Sequence, residues 1–466
     1  DQDTAILVGG LAKGGKGYYA LNITDPGLIT TEDELADRVL WEYPRSGTDQ
    51  ADIDDLGFSY SRPAIVQTNN TEDANWIMIF GNGYNSINSH AVLFIMDPAD
   101  GNVLRKIDTG VGSCNGLSTP IAVDVNADMK VDYVFAGDLK GNLWKFDLTD
   151  SDYNNWSVAY QDVVDGKDLD DGTPRPVFKA KGPGGIGFDD QPITTKPEVI
   201  YHCEKHGYMV IVGTGKYLGE SDFADSRTQT IYGIWDYGDD DDDGEYIGSF
   251  ERGSTPQLSN QPDTVTLLQQ TVVEGDFTTQ TGQSLRILTD KVPVWTVTTS
   301  DENCSGAEGD TPCDPDGVGD ADPEANVGWY FDLPDIGERV ASDLLIREGK
   351  AIQVSFIPEY SPCGTGGNSV IMEMDACTGG RLTEAQFDIN NDGVIDENDL
   401  INIAGEGETP IWVAPTGITY PGHLQPPAIL QVGEEEMKYF STNVGTIVTL
   451  KEKGARLGII YWMEFE

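Results

Sequence analysis

The sequence predicts an all-β fold of the propeller type, and three observations carry that prediction. A motif of two apolar strands joined by a glycine turn and closed by an aspartate recurs along the chain. Glycine is abundant, with 54 residues, as many tight turns between short strands require. Helix signals are few: the run TTEDELADRVL near Thr30 and the flanks of an aspartate-rich loop at Asp388.

The copies of the motif come in order. ILVGG…KGYYALNITDP runs from Ile6 to Pro26, and WIMIFGNGYNS…AVLFIMDPADG from Trp76 to Gly101. DYVFAGDLKGNLWKFDLTD covers Asp132 to Asp150, and YMVIVGTGKYLG…QTIYGIWDYGD covers Tyr208 to Asp239. Looser copies are VGWYFDL at Val327–Leu333 and MKYFSTNVGTIVTLK at Met437–Lys451. Apolar residues such as Leu143, Trp144 and Phe146 suit a strand packed on its faces. Glycines permit the positive φ of tight hairpins, and the closing aspartate caps the next turn. One such unit cannot bury both faces, so copies must stack. A period wider than that of WD40 repeats predicts a propeller with long insertions and about six to eight blades, closed by AILVGG and GIIYWMEFE. A pair of β-sandwiches is the alternative. The prediction is one domain over 1–466.

Charge narrows the partners. Against 29 Lys and Arg stand 79 Asp and Glu, a formal −50, which repels nucleic acid and anionic lipid. No stretch reaches the roughly eighteen apolar residues of a membrane span. The chain opens at Asp1 without a signal peptide, as a mature product or an excised part would. Six cysteines occur in no zinc pattern, and with four histidines zinc is not expected. They read as disulfides of an oxidising compartment. Local spacing favours Cys304–Cys313 and Cys363–Cys377, leaving Cys114 and Cys203 for a longer link; buried free thiols are the alternative, and sequence leaves the connectivity open.

Two loops predict calcium. In Asp124-Val-Asn126-Ala-Asp128-Met-Lys130-Val-Asp132, oxygen side chains fall at positions 1, 3, 5 and 9, with the Lys130 carbonyl at 7. Such alternation wraps oxygens around a hard cation that takes six to eight ligands. Met129 stands where an EF-hand has its turn glycine, and Phe135 where it has its final Glu. This loop therefore closes at Asp132 and enters a β-hairpin. In FDINNDGVIDENDLINI the spacing follows an EF-hand or dockerin-like loop: Asp388, Asn390 and Asp392, then Gly393, the Val394 carbonyl, Asp396 at 9 and Asp399 at 12. This loop forms an insertion over about 381–404, and LTEAQF and NDLINI are predicted to flank it as short helices. Asp239, Asp241 and Asp243, and the group Asp314, Asp316, Asp320 and Asp322, read better as charged loops.

No catalytic constellation emerges: GxSxG, HExxH and P-loop motifs are absent. His202 and His206 flank Cys203, in what reads as an ordinary hairpin. Quinoprotein dehydrogenases share similar repeats on propellers that hold pyrroloquinoline quinone with Ca²⁺, but no adjacent Cys-Cys pair is present here. A quinoprotein-like oxidoreductase and a carbohydrate-binding propeller are the alternatives to a non-enzymatic protein.

Taken together, the motifs resemble the C-terminal domain of the PilC/PilY family of type IV pilus biogenesis factors and adhesins. The resemblance rests on LVGGLAKGGKGYYALNITDP at Leu7–Pro26, FSYSRPAIV at Phe58–Val66, IFGNGYNS at Ile79–Ser86 and the block Asn115–Leu148 around the first loop. QPITTKPEV at Gln191–Val199, GTGKYLG at Gly213–Gly219, IYGIWD at Ile231–Asp236 and GWYFDLP…GERV at Gly328–Val340 extend it. It implies a modified seven-bladed, quinoprotein-like propeller with a calcium loop on Asp124, Asn126, Asp128, Lys130 and Asp132. It further implies that calcium occupancy is linked to pilus extension and retraction, and that the protein sits with minor pilins at an extracellular pilus tip or on the outer cell surface. The Asp388 loop resembles a second calcium site of some members. The von Willebrand A-like region common in the family does not occur in the sequence, nor does an Arg-Gly-Asp tripeptide, and the receptor is unknown.

Overall fold

The computed structural model describes residues 4–160, 163–164, 167–168, 173–183, 189–205, 207–236, 250–253, 265–295, 325–359, 366–405, 407–432 and 435–453. Six sheets of three or more strands, with two short ribbons, make up these residues. The first sheet joins Ile6–Gly10, Tyr18–Asn22 and Val39–Tyr43, and the second runs as a meander from Ala64–Gln67 through Trp76–Gly81 and Val92–Met96 to Val103–Asp108. The third is built on Ile121–Val123, Tyr133–Gly137 and Asn142–Asp147. The fourth is built on Glu198–Tyr201, Tyr208–Gly213, Thr230–Asp236 and Ala325–Asp332. Lys350–Pro358, Gly367–Asp375 and Gly417–Pro421 form the centre of the fifth. Ala428–Val432, Glu435–Ser441 and Ile447–Lys453 make the sixth.

Alternation along each strand explains how the sheets stack. In Trp76–Gly81, Met78 and Phe80 pack with Tyr18, Trp41 and Tyr43 of the first sheet. Ile77 and Ile79 face the other way, onto Val134, Ala136, Trp144 and Phe146 of the third. Phe135 and Leu143 leave the third sheet's other face for a core shared with the fourth and fifth. Val354, Ile371 and Ile418 then meet Phe440, Val448 and Leu450 of the sixth. A strand buried on both faces must be apolar at successive positions, which is why VLFIM at Val92–Met96 is buried throughout. Consecutive sheets are thus packed face to face in chain order, the stacking the repeat predicts. The glycines of FGNGY have a matching cause: a Cβ at Gly81 would meet the Ser118 carbonyl, and one at Gly83, φ +71°, the Phe58 carbonyl.

Two expectations are corrected. No helix flanks the Asp388 loop: Phe387 and Ile389 alternate into the core beneath the fifth and sixth sheets, which needs extended chain, and a 3-10 turn at Glu397–Asp399 leads into the strand Ile401–Asn402. The helix near Thr30 does form, over Glu32–Ala36, with a Thr31–Glu34 capping box. Cys377 pairs with Cys203, Cα–Cα 6.1 Å, and not with Cys363 as the short spacing favoured. The cause is tertiary: the turn after Gly367–Asp375 lies on the fourth sheet, where Trp329 Nε1 donates to the Ala376 carbonyl at 3.2 Å. Cys203 therefore does not pair with Cys114, which is exposed and free among the described residues.

Cys304, Cys313, Cys363, the acidic groups at Asp239–Asp243 and Asp314–Asp322, and the closing segment GIIYWMEFE lie outside the described residues. Among the described residues no helix is long and apolar enough to cross a membrane.

Candidate functional site: two aspartate loops

Both predicted loops are folded by closely similar hydrogen bonds. In the first, Asp124 Oδ1 accepts from the Asn126 and Asp128 amides at 3.2 and 3.3 Å, and Oδ2 from Met129 N at 2.7 Å. Asn126 Oδ1 accepts from Asp128 N at 2.9 Å, and Asp128 Oδ1 from Lys130 N at 3.0 Å. In the second, Asp388 Oδ1 accepts from Asp392 N at 3.2 Å and Oδ2 from Gly393 N at 2.9 Å. Asn390 Oδ1 accepts from Asp392 N, and Asp392 Oδ1 from Val394 N, each at 2.8 Å. Backbone conformation agrees: φ is +61° at Ala127 and +65° at Met129, against +58° at Asn391 and +82° at Gly393. Met129 thus adopts the left-handed turn that glycine adopts freely.

The match extends to the closing residue, where the structure re-reads the sequence. Asp132 Oδ2 accepts from Val125 N at 2.9 Å; Asp399 Oδ1 accepts from Ile389 N at 2.9 Å. Each is the residue after the loop's first aspartate. Counting from that aspartate placed Asp132 opposite Asp396, yet its geometric counterpart is Asp399. Asp396 instead caps the 3-10 turn, accepting from Asn398 N at 2.8 Å. No spacing rule could have shown this, because the first loop reaches its closing carboxylate three positions sooner.

The two closing carboxylates are buried, Asp132 to 3% exposure and Asp399 to 0%. Burial raises the pKa of Asp132. The Val125 amide opposes that rise, and Asp128 and Asp124 add to it. Asp399 is likewise raised, first by burial, with the amides of Asp396, Ile389 and Asn390 opposing and Asp388 adding. Apolar neighbours hold each loop in place: Val131 in the core between the second and third sheets, Phe387 and Ile389 in that of the fifth and sixth.

Among the described residues no three His, Cys, Asp or Glu side chains stand arranged for a metal ion. The donors here are mixed: Asp124, Asn126, Asp128, Asp132 and the Lys130 carbonyl in one loop. The other offers Asp388, Asn390, Asp392, Asp396, Asp399 and the Val394 carbonyl. All are oxygens, and a carboxylate oxygen that accepts one amide keeps a further lone pair. Such a set could hold a hard cation and suits neither zinc nor copper.

The first loop also ties two sheets together. Val131 N donates to the Gln67 carbonyl at 2.8 Å, and Lys130 Nζ reaches Asn69 Oδ1 at 3.4 Å. Both partners belong to the second sheet's first hairpin, whereas Asp132 leads straight into Tyr133–Gly137 of the third.

Stacked, mostly antiparallel sheets joined by long insertions are the architecture of a β-propeller domain. Residues 1–273 match the PilY1 beta-propeller domain family. The chain is 33% identical over 407 residues to the type IV pilus biogenesis factor PilY1 of Pseudomonas aeruginosa, a match covering 84% of this chain. It therefore belongs to the PilY1 family. A PilY1 homolog from Xylella fastidiosa is 29% identical over 427 residues, covering 87% of this chain and 24% of that protein. The crystal structure of the Pseudomonas aeruginosa PilY1 C-terminal domain superposes with a TM-score of 0.68 at 27% identity, covering 96% of this chain and 81% of that one. The chain spans 30% of the length of the Pseudomonas relative.

Proposed function

We propose that this chain is a non-enzymatic, calcium-binding factor of type IV pilus biogenesis and a surface adhesin, built as one seven-bladed propeller over 1–466. The observation that carries the calcium reading is the shared wiring of the two loops: five hydrogen bonds recur between Asp124, Asn126, Asp128 and Asp132 and the matching Asp388, Asn390, Asp392 and Asp399. The first site takes Asp124, Asn126, Asp128, the Lys130 carbonyl and Asp132. The second takes Asp388, Asn390, Asp392, the Val394 carbonyl, Asp396 and Asp399. A bound calcium ion supplies the positive charge that cancels repulsion among the crowded carboxylates.

Coupling to assembly follows from where the first loop sits. Its Lys130 and Val131 hold the second sheet while Asp132 leads into the third, so loop order sets how firmly the two sheets are joined. The pilus reading rests on the relatives, which are named type IV pilus biogenesis factors. On it, the partners are minor pilins at the pilus tip, with an unidentified host or surface receptor, and the location is extracellular. The test replaces Asp124 or Asp132 by Ala in the producing cell and counts pili. Loss of calcium binding with pilus number reduced supports the reading; loss of binding with normal pili overturns it.

A further inference from the structure

A cavity of about 330 Å³ lies between the first two sheets, walled by the segment after Val39–Tyr43 and the turn before Val103–Asp108. Tyr43, Arg45, Ser46, Asp49, Asp52 and Asn102 line it. Tyr43 is 4% exposed, yet its Oη has no hydrogen-bond partner among the described residues. A buried hydroxyl left without a partner is costly and calls for an explanation.

The other groups are held in place with capacity to spare. Arg45 Nη1 donates to the Asp100 carbonyl at 2.6 Å and Nη2 to Asn102 Oδ1 at 2.5 Å, leaving guanidinium donors over. Asp49 Oδ1 accepts from Ala51 N at 2.9 Å, and Asp52 Oδ1 pairs with Lys106 Nζ at 2.8 Å. The second oxygen of each carboxylate makes no hydrogen bond among the described residues. Burial, with Asp52, Asp55 and Asp49 nearby, raises the pKa of Tyr43, so its hydroxyl stays a donor.

We propose that this cavity is a binding subsite for a neutral polyhydroxyl ligand of hexose size, the sugar unit of a surface glycan. Two carboxylates beside the cavity disfavour an anion, and Arg45 with the nearby Lys106 disfavours a cation. Fixed donors and acceptors around one space match vicinal hydroxyl groups, each of which both donates and accepts. The volume lies at the low end of ligand cavities, about 300–1,000 Å³, which suits one sugar ring. The proposal does not rest on the calcium loops.

Saturation-transfer NMR on the 466-residue chain, in calcium-containing buffer, tests it with the methyl glycosides of glucose, galactose, mannose and N-acetylglucosamine. At least one glycoside is expected to bind. Tyr43→Phe is expected to weaken it about three- to tenfold, the effect of one hydrogen bond, with the thermal midpoint held. Asp49→Asn, which retains the helix cap, is expected to weaken it similarly. Transfer from none of the four, displacement of the glycoside by excess calcium, or equal binding by both variants would overturn the proposal.

Discussion

Asp132 Oδ2 accepts the Val125 amide at 2.9 Å, so the residue that leads into a core strand of the third sheet also closes the loop that precedes it. Asp399 takes the same role toward Ile389. A loop closed by a buried carboxylate is sensitive to that carboxylate's charge.

The first prediction concerns pH. Burial and neighbouring aspartates raise the pKa of Asp132 and Asp399 in the calcium-free fold. The folded chain then binds more protons than the unfolded one between the ordinary and the raised value. Stability from these two groups is complete below the ordinary carboxylate pKa and is lost as pH rises through the raised one. Thermal melts in chelator are therefore predicted to fall across that interval relative to an Asp132→Asn/Asp399→Asn double variant. Saturating calcium is predicted to remove the fall in the wild type. A calcium-free midpoint that rises against the variant would contradict this.

A second prediction concerns Met129, held at φ +65°. The left-handed region costs a residue with a Cβ roughly 1–2 kcal/mol, partly offset by the larger unfolded-state entropy of glycine. Met129→Gly is expected to stabilise the chain by about 0.5–1 kcal/mol in urea unfolding. A destabilisation would show that the Met129 side chain makes a contact of value.

The junction of the fifth and sixth sheets supplies a third. Lys438 Nζ lies 2.7 Å from Glu373 Oε1 and 2.6 Å from Glu452 Oε1, and Lys350 Nζ lies 2.9 Å from Glu452 Oε2. Lys438 is wholly buried. Removing it leaves two buried acids to share Lys350 alone, so Lys438→Ala is predicted to cost about 3–5 kcal/mol. The acids themselves differ. Burial, and then Glu452, raises the pKa of Glu373. Burial also acts to raise Glu452, but its hydrogen bond to Glu373 and the two lysines lower it overall. Glu373→Gln should therefore be milder than Glu452→Gln; the reverse order in chemical denaturation would reject this assignment.

The disulfide gives a fourth. Cys203–Cys377 spans 174 residues, and chain entropy gives a link of that length an upper value near about 5 kcal/mol. The Cys203→Ser/Cys377→Ser pair is expected to lower the thermal midpoint markedly. A midpoint unchanged under reducing conditions would show the link to be dispensable.

Local rules read well here, and long-range ones did not. The strand Trp76–Gly81 was legible because burial on both faces imposes an unbroken apolar run, and Asn142–Asp147 because Leu143, Trp144 and Phe146 dominate it. The helix near Thr30 was legible because its signal, TTEDELADRVL, is local, and the Thr31–Glu34 capping box starts it. The hydrogen-bonded turns of the two aspartate loops were legible from spacing, since Asp and Asn at alternate positions each accept from a backbone amide two residues on. By contrast, Cys203–Cys377 depends on which sheets stack, which spacing along the chain does not encode. The same holds for Lys438 with Glu373, Glu452 and Lys350: four strands of two sheets meet there, and each residue alone looks like surface charge. The equivalence of Asp132 with Asp399 was hidden because the loops differ in length, and only the amide partners reveal it.

The central claim is that both aspartate loops bind calcium through the residues named. Isothermal titration of calcium into the metal-free 466-residue chain, and into Asp124→Ala and Asp388→Ala, tests it most directly. Two sites per chain, with one lost in each variant, is the predicted result; no binding heat, or a stoichiometry unchanged by both substitutions, would contradict it.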